Sequence, residues 1–362
     1  MRVLHVAAGN LYGGVERVLV EIARAGRGRH EFAISFEGRL SREIDATAAR
    51  RHAIGEVRFR RPLSVWLARR RLAAVVRGGA FDAVVCHSPW PYAIAAPVLD
   101  TRPALWVHDA QHGDHWTERR VTARPPSLVI CNSHYTASAI AAWLAQSHRE
   151  VVYAPVAAPV RSFPRWEMRA RLGATDDTAV IVMASRLERW KGHVELLRAL
   201  ATLDGNWMLW MAGGPQRPHE HEYEAELRQL TAVPALADRV RLLGDRSDVG
   251  NLLAAADIHC QPNSAPEPFG VAFVEALHAG LPVLTSDAGG AREIVTPDCG
   301  VLVPPGDVDR LRTALAELVS NRDRRAQLGA AGPARARELC DPERQIAVLE
   351  SALAASPPRG VA

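Results

Sequence analysis

The sequence predicts an α/β protein built from two doubly wound halves, and three observations carry that prediction. Short apolar runs bounded by turn residues recur along the chain with helix-length segments between them, the pattern of parallel strands covered by helices. The first run, VLHVAAG, leads through Gly9, Asn10, Gly13 and Gly14 into VERVLVEIARAG, which reads as strand, glycine loop and helix. Pro155, Pro159 and Pro164 then interrupt any helix and mark a hinge, after which the pattern starts again.

The elements follow in order. In residues 1–155 strands are expected at VLHVAAG, HEFAISF, DAVVCH, ALWVHD and SLVICNS. In residues 156–362 they are expected at AVIVMAS, WMLWMAG, RVRLLG, DIHCQP, LPVLTSD and GVLVPP, with helices at HVELLRALATL, EYEAELRQL, DVGNLLAAA and FVEALHAG. Trp207 and Trp210, inside an apolar strand, read as core. PERQIAVLESALAA reads as a terminal helix, and the closing SPPRGVA as a frayed end. Two such halves put strand ends at a shared cleft, where folds of this kind bind ligands.

Composition fits this picture. A chain of 362 residues suggests two domains. Hydrophobic residues at 48% and charged residues at 23% exclude a disordered or fibrous chain. The opening residues lack a secretion signal and no run approaches 18 apolar residues, so a cytoplasmic location is expected. Cys86, Cys131, Cys260, Cys299 and Cys340 are dispersed, which suits a reducing compartment rather than a zinc knuckle. Residues 1–155 hold 21 Arg against 13 acidic residues, a net +8 in a chain of net +4. That half could face a phosphorylated acceptor or the anionic inner face of a membrane as a peripheral protein. SVWLARRRLAAVVRGG, with Arg69, Arg70 and Arg71 beside Val65, Trp66 and Leu67, suits a membrane interface, and equally a solvated helix. No nucleic acid is expected, because the basic residues form no reading motif.

The chemistry concentrates in two stretches. In PEPFGVAFVEALHAGLPVLTSDAGGAREIV, Glu267 and Glu275 stand eight apart, with Phe269, Gly270 and Val271 where a loop enters a helix. Unpaired N–H groups at a helix start suit phosphate or sugar oxygens. One carboxylate, Glu275, could accept both hydroxyls of a ribose. In ASRLERWKGHVELLRAL, Arg186 and Lys191 lie between a strand and a helix, a planar fork and a compact ammonium suited to a diphosphate. Lys191 is the only lysine among 44 basic residues. A third cluster, His108, Asp109, His112, Asp114 and His115 in HDAQHGDH, admits three readings: a cleft-lining His108, plain surface, or a metal site, the last without a helical ligand pair of the HExxH kind. HEHE at 219–222 reads as an exposed loop or helix start.

Taken together, GGVER, SRLERWKG and EPFGVAFVEALHAGLPVLTSDAGGAREIV resemble the retaining GT-B glycosyltransferases of family 4, the glycogen-synthase-like group. The resemblance spans essentially the whole chain and is strongest from Ala184 to Pro304. It implies two Rossmann-like domains facing each other across a cleft, with a C-terminal helix able to return to the N-terminal domain. It implies transfer of a hexose-type sugar from a nucleoside-diphosphate sugar, UDP- or GDP-linked, to a glycan, lipid-linked or small-molecule acceptor with retention of configuration. No metal and no cofactor beyond the donor are implied. By position, Arg186 and Lys191 would bind the diphosphate and stabilise the leaving group, Glu267 the donor sugar and Glu275 the ribose. Phe269, Gly270 and Val271 would hold sugar and phosphate oxygens through the main chain. Gly13 and Gly14 match the glycine loop beside the phosphates, and His108 a histidine near the reacting sugar. The nucleobase would lie against main chain near RVRLLGD. Ser185 departs from the family's usual glycine. A sugar epimerase of the same architecture and a non-catalytic nucleotide-binding subunit are the alternatives; a dinucleotide oxidoreductase is disfavoured, because GNLYGG is not GxGxxG.

Overall fold

Apolar runs rich in Val, Ile, Leu and Ala need cover on both faces, and parallel strands joined by helices supply it. In the computed structural model, which describes residues 1–356, the chain forms two units: Met1–Val156 with the chain from Cys340 onward, and Ala157–Leu339. The first unit contains β1 (Val3–Ala7), β2 (His30–Ile34), β3 (Arg51–Ala53), β4 (Ala83–His87), β5 (Ala104–Val107), β6 (Val129–Cys131) and β7 (Arg149–Val151). They form one parallel sheet in the order β3-β2-β1-β4-β5-β6-β7. The second unit contains β8 (Ala179–Ala184), β9 (Trp207–Ala212), β10 (Val240–Leu242), β11 (Ile258–Gln261), β12 (Val283–Ser286) and β13 (Gly300–Val303), again all parallel, in the order β10-β9-β8-β11-β12-β13.

Every residue of β1, β2 and β9 is buried. Trp207 and Trp210 are 2% and 0% exposed, in the core as expected. The five cysteines are buried, and among the described residues none forms a disulfide. The helix Pro342–Ala355 packs on the helix Gly14–Ala25 of the first unit, tied by the Arg27–Glu343 pair at 2.6 Å and by the bond from Val156 N–H to the Cys340 carbonyl. The frayed end expected for SPPRGVA lies, apart from Ser356, outside the described residues.

The structure adds elements that the sequence pattern does not announce. β3 is only Arg-His-Ala and β7 only Arg-Glu-Val, edge strands whose pairing with β2 and β6 makes them strands. The helix Arg322–Cys340 carries Pro333 in its interior and five arginines, so it shows no clear apolar stripe. Among the described residues no helix is long and apolar enough to cross a membrane.

Candidate functional site

In each sheet the strand order reverses once, between β1 and β4 and between β8 and β11, and the loops leaving those strand ends diverge to open a crevice where such folds take ligands. Of the residues singled out from sequence, Gly13 and Gly14 follow β1, His108 follows β5, Arg186 and Lys191 follow β8, and Glu267, Phe269, Gly270 and Val271 follow β11.

In the second unit Arg186 lies two residues beyond β8, about a third exposed, its guanidinium 3.0 Å from Glu188. Lys191 ends a single turn of 3₁₀ helix, Arg189–Lys191. The next residue, Gly192, has φ +85°, and a β-carbon there would lie 1.9 Å from the Pro262 carbonyl oxygen. Only glycine lets the loop after β8 press this closely on the loop after β11. The approach sets the Lys191 ammonium 2.7 Å from Glu267 Oε2 and 3.9 Å above the Trp190 ring. Glu267 is 8% exposed. The same Oε2 accepts from Asn263 Nδ2 at 2.8 Å and Gln261 Nε2 at 3.1 Å, while its carbonyl accepts from Gly290 N–H at 2.7 Å.

Just beyond, Phe269 is buried and Gly270, at φ +113°, caps the helix Val271–His278. A helix start leaves the Val271 and Ala272 N–H groups without acceptors inside the helix. Glu275 sits in this helix, 4% exposed. Arg186, Lys191, Glu267 and the Phe269–Val271 turn thus belong to the two loops at the switch point of one sheet. Each cation already faces a carboxylate, Glu188 or Glu267, so the four side chains balance in charge among themselves, and the site is a row of held ion pairs rather than a purely basic hole.

Ser185 Oγ lies 3.1 Å from His193 Nε2, which gives the hydroxyl a partner at a position where glycine would have none. Burial, with the Lys191 charge nearby, pushes the His193 pKa down to about 3, so the ring is neutral. A small recess at the ends of β8, β9 and β10 is lined by His193, Gly213, Leu242 and Gly244 among others.

In the first unit Gly13 caps the helix Gly14–Ala25, and its N–H donates to Glu16 Oε2 at 2.9 Å. His108 directly follows β5, 8% exposed, and burial lowers its pKa to about 3. Its Nε2 lies 3.1 Å from His87 Nδ1, and Asn132 Nδ2 donates to its carbonyl at 3.1 Å. Of its polar neighbours, His115 caps the helix Trp116–Ala123. Among the described residues no group of three or more His, Cys, Asp or Glu side chains could hold a metal ion. HEHE opens the helix Pro218–Thr231, and its Glu220 is buried, accepting from Gln216 N–H at 2.6 Å and Arg217 N–H at 3.1 Å.

The basic stretch divides its side chains. On the helix Pro62–Gly78, Leu63, Trp66 and Leu67 are exposed by 67%, 53% and 38%, and Arg70 extends the same i, i+3, i+4, i+7 face, 5.4 Å from the Trp66 ring. Arg69 turns inward to the Ala93 carbonyl at 3.0 Å, and Val65 is buried.

Sequence reasoning missed Glu188, Gln261 and Asn263, which brace the charged residues, and His5, His30 and His87, which continue inward from His108. The available signal was polar residues ending otherwise apolar strands, in DIHCQPNS and DAVVCH.

Comparison with known proteins agrees with this architecture. Residues 164–335 match the family described as glycosyl transferases group 1, and residues 12–158 match glycosyltransferase family 4. The chain is 37% identical over 179 residues to a GDP-mannose-dependent monoacylated α-(1-6)-phosphatidylinositol monomannoside mannosyltransferase of Corynebacterium glutamicum, a match covering 46% of this chain and 44% of that protein. The match therefore spans less than half of that relative's length. A lipopolysaccharide core biosynthesis glycosyltransferase of Rhizobium meliloti, LpsD, is 29% identical over 342 residues, 92% of each chain. Among solved structures, Anabaena HepE in complex with UDP and glucose superimposes with a TM-score of 0.84 at 26% identity, covering 98% of this chain and all of that one.

Proposed function

Because the chain belongs to glycosyltransferase family 4 and has the GT-B fold, we propose that it transfers a hexose from a nucleoside-diphosphate sugar to an acceptor hydroxyl with retention of configuration. The observation that carries this reading is the pairing at the β8/β11 switch point, Lys191 on Glu267 with Arg186 on the same loop. Breaking the bond between the anomeric carbon and the phosphate oxygen builds negative charge on the departing diphosphate. Cations held in place before the reaction stabilise that charge more than they stabilise the bound donor. The N–H groups starting the helix Val271–His278 add donors of the same sign. Glu267 is assigned to the sugar hydroxyls and Glu275 to the ribose. Gly13 and Gly14 are assigned to phosphate, His108 to the reacting sugar, and the recess by Leu242 and Gly244 to the nucleobase. The leaving phosphate would take the acceptor proton on the face it departs from.

The acceptor proposed is a membrane-borne glycolipid. Supporting this are the names of the relatives and the face of Leu63, Trp66, Leu67 and Arg70, apolar and cationic side chains suited to an anionic bilayer interface. Peripheral attachment at the inner face of the membrane would follow.

The test is a panel of UDP-, GDP- and ADP-sugars scored by thermal stabilisation, then product analysis by mass spectrometry and anomeric NMR. The true donor at 100 times its Kd should stabilise the protein by about 2.7 kcal/mol. Arg186→Ala should slow transfer by about 100-fold, the scale for removing one preorganised group. Equal silence toward all donors, or an inverted product, would overturn the proposal. Vesicle flotation with Trp66→Ser/Leu67→Ser tests the lipid side: binding to anionic vesicles that persists undiminished in this variant refutes that face as the contact.

A further inference from the structure

Four buried histidines cross the first unit's sheet in single file. His30 starts β2, His5 is central in β1, His87 ends β4 and His108 follows β5, on four neighbouring strands. The register places His30 beside Val3, His5 beside Val85 and His87 beside Trp106. Each step therefore crosses one strand and advances two residues, which keeps every imidazole on the same face. The rings touch in sequence. His30 Nδ1 is 2.8 Å from His5 Nε2, His5 Nδ1 is 2.8 Å from His87 Nε2, and His87 Nδ1 is 3.1 Å from His108 Nε2. At the inner end His30 Nε2 lies 3.4 Å from Glu350 Oε1 on the helix Pro342–Ala355, and Arg29 stands 3.5 Å from the same carboxylate. At the outer end His108 Nδ1 makes no hydrogen bond among the described residues.

A carboxylate can only accept. His30 must then donate from Nε2 and keep its lone pair on Nδ1, which requires His5 to donate from Nε2. The same demand passes to His87 and from His87 to His108. We infer that Glu350, acting through His30, His5 and His87 as positioning residues, fixes the tautomer of His108 with hydrogen on Nε2 and the lone pair on Nδ1. Resting on the function proposed above, this makes Nδ1 an acceptor for a hydroxyl of the bound sugar rather than a donor to it. A charged ring would break the pattern, and burial among Phe32, Trp106 and the other rings opposes charge on each of the four.

Nitrogen-15 NMR of the histidine side chains reads the tautomers directly and independently of activity. The intact chain should show His108, His87, His5 and His30 all bearing hydrogen on Nε2. Glu350→Ala removes the acceptor and should leave His108 a mixture of both tautomers. About half the molecules would then present the bare Nδ1, so turnover should fall about twofold. His5→Phe, which keeps a ring against Phe32 but cuts the row, should release His87 and His108 while Glu350 remains. Hydrogen on Nδ1 of His108 in the intact chain, or a single unchanged tautomer in both variants, overturns the inference. A chain with the expected tautomers that moves no sugar would overturn the proposed function and leave this inference standing.

Discussion

Replacing Lys191 by Met tests whether the Lys191–Glu267 pair organises the second unit's site. Opposite charges 2.7 Å apart attract by about 6 kcal/mol at an effective dielectric of about 20. With side-chain exposures of 12% and 10%, desolvation of each ion takes back several kcal/mol, so the pair's net contribution is small. Removing one partner has a larger effect, because it strands the other. Lys191→Met leaves Glu267 with two neutral donors, Asn263 and Gln261, each offsetting about 1 kcal/mol. The expected loss is therefore about 3 kcal/mol, the low end for breaking a buried pair. Glu267→Gln leaves the ammonium over Trp190, a contact of about 1 kcal/mol, and should cost about 2 kcal/mol. The double variant should cost about 3 kcal/mol rather than 5, a coupling of about 2 kcal/mol. Native-state hydrogen exchange at the amides of β8 and β11 reads this unit without assuming that both units unfold together. Additive losses, with coupling under about 0.5 kcal/mol, would refute the argument.

Two further outcomes follow from the same physics. His108, His193 and His259 have native pKa values lowered by burial to about 3, 3 and 4, against an ordinary 6.5. Below pH 6.5 the unfolded chain binds protons that the native chain refuses, so stability is fully present above that pH and falls on acidification, by about 2 kcal/mol per histidine at pH 5; urea midpoints that stay flat from pH 7 to 5 would contradict this. Gly306→Ala, at φ +76° with open space around it, should cost about 1 kcal/mol, whereas Gly192→Ala, whose β-carbon meets the Pro262 carbonyl, should cost at least about 3 kcal/mol and displace Lys191, a contrast that equal midpoints for the two variants would exclude.

The glycine loop, the strand–helix repeat and the two separate motifs that carry Arg186 with Lys191 and Glu267 were readable because each is local: a turn residue, a period, or a motif fixed to a strand end. What stayed hidden depends on neighbours far along the chain. β3 and β7 are strands only through β2 and β6, and the helix Arg322–Cys340 holds its course despite Pro333. Lys191 and Glu267 are 76 residues apart, and their contact requires the close passage at Gly192. The histidine row is the extreme case: His5, His30, His87 and His108 look like isolated interruptions of apolar strands until the strand order and register place them side by side.

The lone lysine can now be given a physical reason. Glu267 Oε2 already takes donors from Lys191, Gln261 and Asn263, and the Lys191 side chain is only 12% exposed. A guanidinium carries five N–H donors in a rigid plane and is bulkier than an ammonium. At position 191 it would find one shared acceptor, the Trp190 face, and no further acceptor among the partners that Lys191 has. Buried N–H groups would go unpaired and the loop would be overpacked, each at a cost of about 1–3 kcal/mol. Lys191→Arg preserves charge yet should lower the unfolding free energy of the second unit by about 2 kcal/mol and weaken nucleoside-diphosphate binding, read by hydrogen exchange and calorimetry on the same sample. If arginine at 191 matches lysine in both measurements, compactness is not what the site selects, and charge alone accounts for the residue.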